Sequence, residues 1–137
     1  MTQSGTGKVY KPLTEKDNWL ASQIVDIAIT IHKSLGPGLL ESVYETCFCY
    51  ELKKRKILFT RQQFVEIVYD GVVVDEGLRI NIIIDGLIIL ELKAQENFHP
   101  VWEAQLLSYM RLTGKRLGYI INFHVPLMKE GIKRMIL

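Results

Sequence analysis

Apolar residues recur every three or four positions at Leu20, Ile24, Ile27, Ile31 and Leu35, the stripe of an amphipathic helix. Thr14 followed by Asp17 marks its start as a weaker relative of the capping box. Gly36-Pro37-Gly38 ends it, because neither residue type suits a helix interior. A second helix is expected from Leu39 to about Lys56, with Leu40, Val43, Tyr44 and Cys47 facing inward. The pattern then turns extended. Phe64 to Tyr69 reads as a strand, turned by Asp70-Gly71 into Val72-Val73-Val74. Leu78 to Ile84 reads as the next strand, Asp85-Gly86 as a turn, and Leu87 to Ala94 as a further strand. Three or four strands on tight turns indicate an antiparallel meander. Pro100 and Gly114 bound a third helix whose apolar residues are Trp102, Leu106, Tyr109, Met110 and Leu112. Leu117 to Phe123 is a last buried strand, with an edge strand over Ile132 to Leu137. The order is ααβββαββ.

Composition bounds this outline. The chain has 137 residues, enough for one domain with a real core. We expect a flexible lead-in over 1–13 and a single domain over 14–137. The longest apolar runs fall far short of the roughly 20 residues that cross a bilayer. Met1 to Lys8 is polar and glycine-rich, without a signal-peptide core, so a cytoplasmic location is expected. Cys47 and Cys49, one residue apart on a helix, point in different directions; they read as ordinary thiols, not a disulfide or a zinc site. The net charge of +2 decides little. Lys53-Lys54-Arg55-Lys56, with Arg61 behind, reads first as a solvated helix C-terminus and second as a phosphate-contacting patch.

Glu91-Leu92-Lys93 is the unusual feature. The strand before it is almost wholly apolar, and two charges placed two residues apart project on one face. Burying either charge alone costs several kcal/mol. One account is a structural ion pair at a strand end. The other is a carboxylate that binds a divalent metal beside a lysine that stabilises phosphoryl charge. Gln105 and Tyr109, four residues apart, share a face of the third helix.

Taken together, these blocks resemble the GxxExxY family of the PD-(D/E)XK nuclease superfamily. Gly38-Leu39-Leu40-Glu41-Ser42-Val43-Tyr44 matches the naming motif, and Ile88 to Ala94 is similar to the family's central strand. Glu103 to Tyr109, Thr113-Gly114 and Gly118 to Phe123 resemble its C-terminal half, so the likeness runs from about Ile24 to Leu137. The resemblance implies an αβββαβ core, a mixed sheet flanked by helices, and metal-dependent phosphodiester hydrolysis of nucleic acid. It implies Glu91 as a metal ligand, Lys93 as the catalytic lysine and Glu41 as the helix-borne acid of the metal environment. Gln105 and Tyr109 would match the QxxxY helix motif, which supports the site or contacts substrate, with Tyr44 in a supporting part. The implied cofactor is Mg²⁺ or Mn²⁺ on hard oxygen ligands.

One departure matters. The superfamily's metal-binding aspartate belongs on the strand before ExK, and the matching residue here is Asn81. An amide oxygen still coordinates a cation, with no formal charge, so weaker metal binding and impaired catalysis are expected. Asp75, Glu76 and Asp85 are candidate substitutes, though Asp85 is accounted for by its turn. Register decides the geometry. A two-residue Asp85-Gly86 turn pairs Ile80 with Glu91, and a three-residue connection pairs Asn81 with Glu91. His99, just before the third helix, is a candidate substrate or outer-layer residue. Three functions follow: a nuclease of low or specialised activity; an inactive nuclease-fold protein that binds nucleic acid or a protein and keeps Glu91 and Lys93 as a buried ion pair; or a structural or oligomeric partner in a larger DNA-processing assembly that uses an apolar helix face. No membrane association is expected. A homodimer is compatible with the sequence, which specifies no interface.

Overall fold

The computed structural model describes residues 11–137, so the expected lead-in over 1–13 lies outside the described residues except for its last three. α1 (Glu15–Leu35) opens on a full capping box. Thr14 Oγ1 accepts from the Asp17 N–H at 3.0 Å, and Asp17 Oδ2 accepts from the Thr14 N–H at 3.0 Å. Gly36, at φ 69°, stops the helix. α2 (Glu41–Lys54) buries Tyr44 as its spacing suggested, but with Phe48, Cys49 and Leu52 beside it, while Leu40 is 74% exposed, Val43 is exposed and Cys47 is half-buried. The helix begins at Glu41, so Leu40 stays outside it. Apolar residues also stand on several sides of this segment, so their spacing alone selects no face.

The strands are β1 (Phe59–Tyr69), β2 (Val72–Ile84), β3 (Ile88–Lys93), β4 (Leu117–Asn122) and β5 (Ile132–Ile136), with α3 (Val101–Thr113) between β3 and β4. They form one sheet in the order β1-β2-β3-β4-β5. The meander covers only β1 to β3: β4 runs parallel to β3, reached through α3, and β5 returns antiparallel. This is the expected mixed sheet flanked by helices.

The expected break between Val74 and Leu78 is absent. β2 runs through it, because a bulge sets three residues, Asp75 to Gly77, against Glu66 alone: Val65 faces Leu78 and Ile67 faces Val74. A Cβ on Gly77 would collide with the Phe64 ring lying over it. The acid-acid-glycine string looks like a loop in sequence and is a bulged strand in space.

The sheet has a core on each side. One packs Leu20, Ile24, Ile27, Phe48 and Leu52 of α1 and α2 against Ile82, Leu90, Leu92 and Ile121. The other packs Trp102, Leu106 and Met110 of α3 against Ile80, Ile83, Ile89 and Ile120. With both faces covered, β3 and β4 are buried almost throughout, as their unbroken apolar sequences require.

Candidate active site

The β2–β3 connection has three residues, Asp85 to Leu87, since Ile84 pairs with Ile88. Of the two registers open to the sequence, this one carries Asn81 opposite Glu91. The ladder runs through Ile83↔Ile89 and Ile82↔Leu90 and then gives way to side chains. The Asn81 N–H donates to Glu91 Oε2 at 2.9 Å, and the Leu92 N–H donates to Asn81 Oδ1 at 2.8 Å. Asn81 also marks a switch of faces: Ile80 belongs to the α3-side core, whereas Ile82 and Ile84 belong to the other. On β1, Gln62 lies between the pairs Arg61↔Ile82 and Gln63↔Ile80 and has φ 54°, a left-handed conformation unusual for a strand residue.

Glu91 is 7% exposed. Burial pushes its carboxyl up to about 7, opposed by the Asn81 N–H bond and the Lys93 charge and reinforced by Glu41 and Glu45. Among the described residues neither Glu91 nor Lys93 takes part in an ion pair, which counts against the account of the two as a structural ion pair. The Lys93 ammonium instead lies 5.4 Å from the centroid of the Trp102 ring. Trp102 is in turn edged by Phe98, with centroids 4.9 Å apart.

Glu41 stands in the first turn of α2, half-buried. Desolvation raises its pKa, Lys93 lowers it and Glu45 raises it, so the three charges feel one another. From the other side of the sheet, Tyr109 of α3 has its hydroxyl pKa raised by burial and then by the Glu91 carboxylate. Glu41, Glu91, Lys93 and Tyr109 thus share one electrostatic neighbourhood, with Asn81 bonded into it. Gln105 is exposed on α3.

Other sequence candidates serve the fold. Tyr44 is fully buried and stacks on Phe123 at 4.3 Å; its hydroxyl donates to the Gly36 carbonyl at 2.7 Å and accepts from the Leu39 N–H at 3.1 Å. His99 Nδ1 accepts from the Val101 N–H at 3.1 Å, at the start of α3. Asp85 pairs with Lys16 of α1 at 2.6 Å, and Asp75 and Glu76 are exposed on the β1–β2 hairpin.

Glu45 was not singled out from the sequence. It is 5% exposed and accepts from Arg61 Nε at 2.6 Å and Gln62 Nε2 at 2.7 Å, fastening the left-handed kink of β1 to α2. The available signal was its position four residues after Glu41 on one helix face. Asn122 was missed as well. Its amide exchanges hydrogen bonds with the Gln95 backbone at 3.1 and 2.8 Å, pinning the chain just after Lys93.

The donors near Glu91 are carboxylate and amide oxygens, which fit a hard divalent cation in kind. They fit more weakly in number: two formal charges, from Glu41 and Glu91, with the Asn81 oxygen already accepting one hydrogen bond. Among the described residues no three His, Cys, Asp or Glu side chains converge closely enough to form a ready-made metal cluster.

The family model of the PD-(D/E)XK nuclease superfamily matches residues 18–135. No curated protein and no solved structure matches the chain. Among the described residues no helix is long and apolar enough to cross a membrane.

Proposed function

The chain belongs to the PD-(D/E)XK nuclease superfamily, and from that premise we propose that it hydrolyses phosphodiester bonds of DNA or RNA with Mg²⁺ or Mn²⁺, at a rate reduced by Asn81. The observation that carries this reading is the Glu91 carboxyl, 7% exposed and in no ion pair among the described residues, with the Asn81 N–H and the Lys93 charge only partly offsetting its burial. Burying a carboxylate without a close partner costs several kcal/mol. A site that recruits a cation offsets that cost.

In this reading Glu91 would hold the ion, and Glu41 would hold it directly or through water. The Asn81 amide oxygen contributes without charge. When bound, the ion supplies Lewis-acid stabilisation of phosphoryl charge. Lys93, seated on Trp102, offers its ammonium to the phosphoryl oxygens, and Tyr109 with Gln105 supports the site or meets the substrate. The finer assignment we propose is to the GxxExxY group, on the spacing of Gly38, Glu41 and Tyr44.

A second reading, an inactive nuclease-fold protein that binds nucleic acid or a protein, draws support from the Asn81 oxygen, which is taken up by the Leu92 N–H. Calorimetric titration with Mn²⁺ separates the two. The hydrolase reading expects micromolar binding that disappears in Glu91→Ala; a folded protein that binds nothing at millimolar Mn²⁺ favours the inactive one. Asn81→Asp should raise metal-dependent cleavage of DNA or RNA, on the order of 10²–10³, the usual worth of one electrostatic element.

A further inference from the structure

The outer half of the β1–β2 hairpin is the part of the fold with least support. β3 covers only Ile82 to Ile84 of β2, so residues 64–79 have no third strand among the described residues. A two-stranded hairpin alone is marginal in water. This one exposes Phe64, Val68, Tyr69, Val72 and Val73, Tyr69 to 76%. It is also acidic: Glu66, Asp70, Asp75 and Glu76 are exposed, Arg79 is its single basic residue, and none of the four acids is in an ion pair among the described residues. Such an arm repels a phosphate backbone and suits a basic, partly apolar surface.

The other end of β1 offers that surface. Lys53 and Lys56 flank Leu58, which is 75% exposed, around a cavity of 540 Å³ completed by Ile57 and Phe59. The adjoining cavity is walled by Trp19, 51% exposed, together with Lys56 and Leu58. Between the acidic and basic ends runs the outer edge of β1, the last strand of the sheet on that side, with its outward backbone groups unpaired by any strand among the described residues. Because the two patches lie at opposite ends of one strand, antiparallel alignment of two β1 edges about a two-fold axis lays each arm on the other copy's base. Both contacts are made twice and the assembly closes. The free edge of β2 is the poorer choice, since a two-fold there sets Asp75 and Glu76 against their own kind.

We propose that β1 is a homodimer interface. Two copies of this chain pair β1 to β1, with Tyr69 and Val72 resting on Leu58 and Trp19 of the other copy and the arm acids facing its Lys53 and Lys56. The test is light scattering on the full chain at high micromolar concentration. The expected mass is twice 15.8 kDa. Asp70→Lys with Glu76→Lys should halve it, as should Lys53→Glu with Lys56→Glu; all four changes in one chain should restore the dimer, which a folding defect would not do. A monomeric parent chain, an open-ended oligomer, or a four-fold variant that stays monomeric overturns the proposal. A monomer whose arm is instead captured by polylysine overturns it too, and assigns the arm to a different basic partner.

Discussion

At the scale of single residues, the site turns on one carboxyl. Glu91 is raised from 4.5 to about 7 mainly by burial. In the unfolded chain it ionises near the ordinary value, so the folded state holds the proton more tightly, and stability falls as pH rises from about 4.5 through about 7. Glu91→Gln removes the titration while keeping an acceptor for the Asn81 N–H. The variant should therefore melt close to the parent at pH 4 and above it at pH 8, by up to about 3 kcal/mol. Thermal melts at both values check this; equal melting at pH 8 refutes the buried-charge account. Glu91 and Lys93 were legible because two charges end an otherwise apolar strand. Glu45 was not, because the groups that give it meaning, Arg61 and Gln62, sit on a different element sixteen and seventeen residues later.

Among the elements, α3 packs closely on β4. A Cβ on Gly118 would come within 2.9 Å of both Leu106 Cδ1 and Met110 Sδ. Gly118→Val should cost about 1–3 kcal/mol through overpacking, read as a melting temperature several degrees lower. An unchanged melt would mean that α3 rides freely on the sheet. Helices and strands were legible wherever one period ruled a segment: the stripe of α1, and the unbroken apolar runs of β3 and β4. The inner face of α2 was not, since tyrosine, cysteine and phenylalanine stand on adjoining positions there. The continuity of β2 was hidden too. Asp75-Glu76-Gly77 is loop chemistry locally, and its extended form comes from the pairing with β1 on both sides of the bulge, where only glycine fits under the Phe64 ring.

For the whole molecule, charge is spread thinly. The basic run Lys53 to Lys56 lies at the far end of α2 from Glu41, about 20 Å along the helix. Arg55 within it is bound to Asp26 at 2.8 Å and to Gln23 at 3.0 Å. Binding of nucleic acid at the site should accordingly use two or three phosphate contacts, giving a log K against log salt slope no steeper than about −3. Fluorescence anisotropy across a salt series measures it, and a slope near −6 would reveal a basic face elsewhere. The order of elements was legible from the pattern and the mixed sheet from the family resemblance, whereas register at the site depended on one residue of turn length. That residue has a mechanical consequence. Glu91 is a stitch as well as a candidate ligand: its oxygen sews β2 to β3 where the regular ladder stops, at the root of the long hairpin. Any change at this carboxylate therefore bears on the seam from which the acidic arm departs.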